Sequence, residues 1–411
     1  MALLRNFKQT LTTLLTGKTT LLAADARADV SADALALAHG NNQFALNLHQ
    51  QLSARGGNIF CSPFSVSAAL AMTCAGARGD TVREMAATLR FPLTGPGLDA
   101  AFHELLRATK GGESRGYELS IASGLWCERR FQFQPEFLNR VKGHYEAELA
   151  EMDFAAQAEA SRQAINAWVE KQTRGKIQNL ISPGAIMELT KLVLANAIYF
   201  HGQWAEPFPK QLTKDAPFEV TPRQKVSAPM MCQQDKFDYL ETNSFQALRL
   251  VYEGGDLAMV VLLPRRADGL AEFEKSLTAE NLYAWLGKLK RREVLVYLPK
   301  FRVESAFTLN EELAARGMRL AFSPDADFSG MTGGKDLLIS LALHKAFVEV
   351  DEKGTEAAAV TAVIPTPTAS PHWKPPPSPP VFRADHPFLF LIRDQRSGSI
   401  LFLGRVANPK G

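Results

Sequence analysis

The second half of the chain is dominated by segments rich in β-branched, leucine and aromatic residues, each with the length of a β-strand. The segments after Phe218 are "ALRLVYE", "LAMVVLLP", "EVLVYLPKFRVES", "LLISLALHKAFVEVDE", "HPFLFLIRD" and "SILFLGRV". The last two flank "QRSG", which is typical of a hairpin connection. So many strands in succession predict large antiparallel or mixed sheets.

Helical patterns belong mainly to the first half. Apolar residues recur at helical spacing over residues 33–52. A second helix is predicted to start near Ser62, because its hydroxyl can cap free backbone N–H groups and Pro63 fits a first turn. The stretch "FSVSAALAMTCAGA" that follows is apolar nearly all round, which predicts a central, buried helix.

A third helix is predicted between two long strands. The segment "SRQAINAWVEKQTRGKIQNLI" is amphipathic with a glycine stop, and it fits a helix that lies across a sheet face. The flanking strand segments are "YELSIASGLWCER" and "LTKLVLANAIYFHGQWAEPF". Helices mainly early and strands mainly late indicate an α+β fold.

Composition excludes several classes of function. The 411 residues would fill two average domains, but large mixed folds reach this size as one unit. Apolar residues make up 46% of the chain, and the formal net charge of +3 gives no reason to expect a nucleic-acid partner. The basic run "KLKRR" at 288–292 could bind a polyanion, although a solvated helix end is the simpler interpretation. No stretch approaches the roughly 20 apolar residues of a membrane span, so no membrane partner is expected.

The cysteines and the N-terminus carry little functional information. The four cysteines form no CxxC pair and are predicted to be small buried apolar residues: Cys61, Cys74, Cys127 and Cys232. The N-terminal segment carries positive charge near its start, but Lys18 and the threonines interrupt any apolar stretch, which argues against a standard signal peptide. The chain has no Asn-x-Ser/Thr acceptor to support passage through a glycosylating pathway.

The usual catalytic signatures are missing. There is no GxSxG elbow and no HExxH pair. In "LLTGKTTLL" the first glycine of a phosphate loop would fall on Thr12, and "GPGLDA" imitates a dinucleotide motif while carrying Pro96 in a predicted loop. The sequence therefore predicts a protein that is not an enzyme, with no catalytic residue, metal or cofactor.

One segment near the end has the pattern of a spare strand. In "GTEAAAVTAVI" side chains of one strand face carry no charge, since alternate residues share a face: Thr355, Ala357, Ala359, Thr361 and Val363. The charged Glu356 falls on the opposite face. An exposed helical turn is an equal alternative on this evidence alone, because alanine favours helices.

The surrounding motifs resemble those of the serpin family, whose members have a serine-protease inhibitor fold. Matching segments include "NIFCSPFSVSAALAMTCAGARGDTVREM", "AINAWVEKQTRGKI", "LVLANAIYFHGQW", "APMM", "LPKFRVES", "HKAFVEVDEKGTEAAAVTAV" and "PFLFLIRDQRSGSILFLGRVANP". The resemblance implies large mixed or antiparallel sheets, eight or nine helices and an exposed reactive-centre loop at about 353–381. It also implies one serpin domain over 33–411 behind an N-terminal extension of residues 1–32, and it leaves a prokaryotic source open.

The resemblance further implies a suicide-substrate mechanism. A target serine protease attacks the loop and forms a covalent acyl complex with it, and the freed strand then inserts into the main sheet before hydrolysis finishes. The inhibitory type of hinge would comprise Gly354, Thr355, Glu356, Ala357, Ala358 and Ala359. The shutter, a polar cluster under the sheet centre, would comprise Ser62, Ser65, Asn196 and His344. The breach, where the loop first enters, would comprise Trp204, Lys300 and Glu352. Each shutter residue also has the simpler interpretation of a helix cap or a satisfied core polar group.

The cleaved bond follows from a count along the loop. Counting seventeen residues from Glu352 along the family pattern ends at Thr368, so the Thr368–Ala369 bond would be cut. A count back from Pro387 lands near Pro376 instead, because this loop is about eight residues longer than the common pattern. Bonds that precede proline are poor protease substrates, which disfavours cutting after Lys374.

Small residues at the cut predict an elastase-like target, and the resemblance implies that the inhibitor is a monomer. The alternatives are a non-inhibitory carrier or chaperone and an inhibitor of cysteine proteases. The resemblance implies an extracellular location, while the N-terminus leaves a cytoplasmic one open.

Overall fold

The computed structural model describes residues 30–110, 115–354 and 378–411. These residues form ten α-helical segments, eight of which have seven residues or more. The helices are α1 Ala32–Ser53, α2 Pro63–Gly76, α3 Gly79–Leu89, α4 Gly95–Thr109, α5 Pro135–Tyr145, α6 Phe154–Gln172, α7 Leu270–Ser276, α8 Ala279–Leu286, α9 Asn310–Ala315 and α10 Ser329–Thr332.

The described residues also form fourteen strands. They are β1 Ile59–Cys61, β2 Tyr117–Glu128, β3 Glu148–Met152, β4 Leu192–Gly202, β5 Lys214–Thr221, β6 Gln224–Glu241, β7 Phe245–Val251, β8 Leu257–Pro264, β9 Lys290–Pro299, β10 Phe301–Thr308, β11 Ile339–Val350, β12 Val381–Arg383, β13 Phe388–Asp394 and β14 Ile400–Val406. The predicted α+β class with large mixed sheets is confirmed.

The strands are divided between two sheets. The larger has nine strands in the order β1-β14-β13-β8-β7-β6-β9-β12, with β5 paired to β6. The smaller, called the central sheet below, has the order β10-β11-β4-β2-β3. In the central sheet β4 runs parallel to β11 and antiparallel to β2. These strand directions determine whether a further strand between β4 and β11 would pair with them in a parallel or an antiparallel manner.

The central sheet is covered by a helix on each face. All fourteen residues of α2 are buried, as its apolar sequence predicts, and the helix packs among β2, β4 and β14. On the other face α6 contributes Ile165 and Val169 to a cluster with Trp126 and Val193 of the sheet. The centre of the sheet is therefore covered on both sides, and a polar group buried there requires a partner within the protein.

Three local expectations differ from the structure. The predicted strand "EVLVYLPKFRVES" divides at Lys300 into β9 and β10, which belong to different sheets. "GPGLDA" is not a loop but the start of α4, where Pro96 occupies the first turn because proline needs no helical N–H donor there. Of the basic run, residues 290–292 begin β9 instead of ending a helix.

The cysteine prediction holds for three of the four residues. Cys61, Cys74 and Cys127 are buried, and burial raises the pKa of the Cys61 and Cys127 thiols to about 12. Cys232 is only partly buried. Within the described ranges, no helix has the length and apolar character needed to span a bilayer.

Candidate functional site

The pairing of β4 with β11 defines the place where a further strand would enter the central sheet. The two strands are parallel neighbours, with Ile339 opposite Leu192 at one end and Phe347 opposite Tyr199 at the other. A strand that follows β11 and reverses direction would run antiparallel to both of them. The position between β4 and β11 is closed here, so insertion would require these strands to separate.

The predicted shutter residues meet across this boundary. His344 of β11 lies opposite Asn196 of β4, and its Nδ1 is 2.7 Å from the Asn196 Oδ1 atom. Ser65 donates its hydroxyl to the same oxygen at 2.7 Å, and the Ser62 N–H donates to His344 Nε2 at 3.0 Å. The Ser62 hydroxyl also caps α2 by accepting the Ser65 N–H at 3.2 Å, and donates to the Leu401 carbonyl at 2.7 Å. Ser62 therefore both caps α2 and takes part in the hydrogen-bonded cluster.

These contacts fix the protonation of His344. Because the Ser62 N–H donates to Nε2, that nitrogen carries no proton, and Nδ1 is the donor to Asn196. Burial lowers the pKa of His344 from 6.5 to about 3 and outweighs the opposing effect of the hydrogen bond with Asn196. The imidazole is therefore neutral at physiological pH, and it bridges β4 and β11 as a neutral group.

Sequence analysis missed one member of this cluster. The Asn196 Nδ2 group donates to the Ser123 hydroxyl of β2 at 2.8 Å, which extends the network to a third strand. Ser123 lies directly opposite Asn196 in the β2–β4 register. The alternation of the strand segment could have suggested its face, but only the register identifies its partner.

Acidification from pH 7 to pH 5 is expected to lower the free energy of unfolding by about 2 kcal/mol. The reason is that His344 binds a proton in the unfolded chain but stays neutral in the folded protein. This stability is complete above about pH 6.5 and is lost as the pH falls towards 3. Urea unfolding of the wild type and His344→Gln at both pH values measures the effect. The variant should lose about 2 kcal/mol less than the wild type. Equal losses would show that His344 is not the titrating group.

The predicted breach residues form a second cluster at the end of β11. Lys300 Nζ donates to Glu352 Oε2 at 2.8 Å, and the Thr213 hydroxyl donates to Glu352 Oε1 at 2.9 Å. The side chain of Glu352 is 5% exposed and that of Lys300 36%. Burial alone would raise the pKa of Glu352, but the hydrogen bonds from Lys300 and Thr213 hold it below its usual value. Thr213 is a further residue that the sequence did not indicate.

Trp204 anchors the chain that leaves β11. Its indole N–H donates to the Asp351 carbonyl at 3.1 Å, its backbone N–H donates to the Lys353 carbonyl at 2.9 Å, and its ring stacks on Tyr252 at 4.5 Å. Gly354 follows with a φ of +121°. A Cβ atom at Gly354 would lie 2.3 Å from the Gly202 carbonyl oxygen, so only glycine fits this turn.

Replacing Lys300 with methionine is expected to lower the free energy of unfolding by about 1 to 3 kcal/mol, because it leaves the buried Glu352 carboxylate without its charged donor. Lys225→Met is the matched control, since Lys225 forms an exposed pair with Glu219 at 3.1 Å with side chains 60% and 29% exposed. Exposed pairs contribute about 1 kcal/mol or less. Urea midpoints of both variants provide the measurement, and similar losses would contradict the distinction.

The remaining predicted site residues lie outside the described residues. They are Thr355, Glu356, Ala357, Ala358 and Ala359 of the hinge, and Thr368 and Ala369 of the cleaved bond. The description resumes at Ser378, and β12 then pairs with β9 of the larger sheet. The segment 355–377 is thus attached to different sheets at its two ends.

Comparison with known proteins identifies the family. Residues 39–409 match the family described as Serpin (serine protease inhibitor). The leukocyte elastase inhibitor of Bos taurus is 44% identical over 384 residues, which cover 91% of this chain and 99% of that protein. The leukocyte elastase inhibitor of Homo sapiens is 43% identical over 389 residues, with 91% and 99% covered. A crystal structure of uncleaved ovalbumin has a TM-score of 0.82 at 30% identity and covers 91% of this chain and all of its own.

The chain belongs to the serpin family of serine protease inhibitors. The resemblance deduced from its motifs is confirmed, and so is the serpin fold. Serpins are inhibitors and not catalysts, and their partner is a target serine protease. The vertebrate relatives give no support to a prokaryotic source, and the family match does not favour an extracellular over a cytoplasmic location.

Proposed function

We propose that this protein inhibits an elastase-like serine protease as a suicide substrate. The protease serine attacks the carbonyl carbon of Thr368, the Thr368–Ala369 bond breaks, and the leaving amine takes a proton. Residues that follow Gly354 then insert between β4 and β11 while the acyl ester is intact. The proposed product is a covalent complex between the protease and Thr368.

The observation that carries this proposal is the strand arrangement at the end of β11. Trp204 and Gly354 turn the chain at the edge of the β4–β11 boundary. Since β4 and β11 are parallel, a strand returning from Gly354 would form antiparallel ladders on both sides, and antiparallel pairing is slightly more stable per residue. If β4 and β11 separate, the position between them would thus accept a strand in the direction that the proposed loop would take.

The two polar clusters have distinct proposed roles. The shutter, now Ser62, Ser65, Ser123, Asn196 and His344, ties β2, β4 and β11 together, and its bonds must exchange when the strands part. The breach, formed by Trp204, Lys300 and Glu352 with Thr213, holds the turn from which insertion begins. Their complete hydrogen bonding keeps the sheet closed until the loop is cut.

The choice of target rests on the loop sequence and on the relatives. Thr368 and Ala369 are small, as a protease with a shallow specificity pocket requires. Relatives that carry the name leukocyte elastase inhibitor are similar over nearly their whole length. The proposal includes a single domain over 33–411 that acts as a monomer behind the extension 1–32, with a reactive loop at about 353–381 and no nucleic-acid or membrane partner.

Incubation with leukocyte elastase followed by denaturing electrophoresis tests the proposal. The expected result is a stable band at the summed mass of the two proteins, and mass spectrometry of the released fragment should place the cut after Thr368. A complex with cysteine proteases alone would favour the cross-class alternative. Absence of a complex across a panel of both protease classes would favour a carrier and overturn the proposal.

A further inference from the structure

A polar cavity of about 280 Å³ is lined by none of the shutter or breach residues. Helices α1, α3 and α9 contribute its lining, which includes Asn47, Gln51, Thr88, Arg90 and Arg316. Two of these side chains are guanidinium groups and none is a carboxylate. The lining therefore combines positive charge with neutral hydrogen-bonding groups.

Contacts between each pair of the three helices hold them around this cavity. Gly40 of α1 allows the Arg90 carbonyl to approach, since a Cβ at Gly40 would lie 2.1 Å from that oxygen. The Thr88 hydroxyl of α3 donates to the Arg316 carbonyl at 3.3 Å. The Arg316 guanidinium in turn donates to the Asn47 carbonyl of α1. The Arg316 side chain is thus held by the fold at one side of the cavity.

The charge of these arginines is not balanced by the protein. Neither Arg90 nor Arg316 forms an ion pair within the part of the chain that the structure describes. The Arg316 Nε atom is buried and has no hydrogen-bond partner. Burial lowers the pKa of Arg316, and the neighbouring positive charge of Arg90 lowers it further. Placing two like charges together without a counter-charge is unfavourable unless something else neutralises them.

We propose that this cavity is a binding site for a tetrahedral oxyanion, a phosphate or sulfate group. Such an anion offers several acceptor oxygens to guanidinium forks, and the pairing of arginine with phosphate is strong because it is charge-assisted and frequently bidentate. Asn47, Gln51 and Thr88 supply further polar atoms around it. The cavity has room for a group larger than a bare phosphate ion, so the oxyanion is either free or carried on a small organic molecule.

Titration calorimetry of the full chain at constant ionic strength tests the site. The three arms are inorganic phosphate, glycerol phosphate and a sulfated disaccharide, with chloride replaced to hold ionic strength fixed. At least one arm should show saturable binding of one anion per chain, and the arm with the lowest Kd identifies the source. Saturation in none of the arms overturns the proposal.

Arg90→Gln is the decisive variant because Arg90 is exposed and its side chain forms no bond that the fold needs. It should weaken binding by about ten-fold, the effect of losing one charge-assisted contact. Arg223→Gln is the matched control, an exposed arginine in the β5–β6 connection with the same change of charge. Equal weakening by both variants would indicate non-specific attraction and would overturn the site. Protease inhibition should be unchanged in both, which separates this test from the proposed function.

Discussion

Cleavage of the segment 355–377 is expected to raise the Tm of the protein by about 10 °C or more, the shift that corresponds to roughly 9 kcal/mol in a chain of 411 residues. An ordinary loop would give no change or a small decrease when cut. The measurement is a thermal scan of intact and cleaved protein after the protease has been removed. An unchanged Tm in the cleaved sample would contradict the insertion step of the proposed mechanism.

The physical reason lies in the closed β4–β11 boundary. Insertion replaces one parallel ladder, which runs from Ile339 to Phe347 on β11, with two antiparallel ladders. Each net hydrogen bond contributes about 0.5 to 1.5 kcal/mol, while ordering each residue costs about 1 to 2 kcal/mol, so hydrogen bonding alone does not drive the step. In the proposed mechanism, burial of the uncharged strand face against the covering helices and relief of strain in the closed sheet must supply the remainder.

A hinge variant provides the control for this measurement. Cleaved Ala359→Arg protein should show little or none of the rise, because an arginine on the face that must be buried opposes insertion. Its intact form should melt with the intact wild type, since the substitution follows the last residue of β11, Val350, in the chain. A full rise in the variant would mean that cleavage stabilises the protein by some route other than insertion.

The sequence predicted the parts of this site that depend on local patterns. Ser62 and Pro63 mark the start of a helix whose apolar residues require burial, and the structure has this helix at the centre of the fold. Contacts that depend on strand register could not be predicted from the sequence. Ser123 and Asn196 are 73 residues apart in the chain, and their meeting follows from how β2 and β4 align, which alternation alone does not specify.

The oxyanion cavity illustrates the same limit. Its arginines belong to two helices that are distant in the sequence, and nothing near either residue distinguishes it from other surface arginines. The charges of the basic run at 288–292 are contiguous in the sequence. Arg90 and Arg316 are far apart in the sequence, but the fold brings them together without a counter-charge among the described residues. Local charge density and spatial charge density are different quantities, and only the first is visible in a sequence.

Thr355→Arg is expected to convert the protein from an inhibitor into a substrate. In the proposed mechanism Thr355 is the first residue to enter the sheet after Gly354, and its replacement would bring a charge into an interior that α2 and α6 cover. Every 1.4 kcal/mol added to the insertion barrier slows insertion about ten-fold, while hydrolysis of the acyl ester continues at its own rate. The stoichiometry of inhibition should therefore rise by at least about ten-fold, with cleaved inhibitor and free protease as the products.

The matched control for this prediction is Ser378→Arg, which introduces the same charge at an exposed residue beyond the inserting segment. Titration of a fixed amount of elastase with each protein, read by residual activity and denaturing gels, gives the stoichiometry directly. The control should retain the stoichiometry of the wild type. Both variants should have the intact wild type's Tm, because both positions lie in the chain between β11, which ends at Val350, and β12, which begins at Val381. If Thr355→Arg still traps protease with wild-type stoichiometry, insertion does not begin at this residue, and the hinge would have to lie elsewhere in the segment.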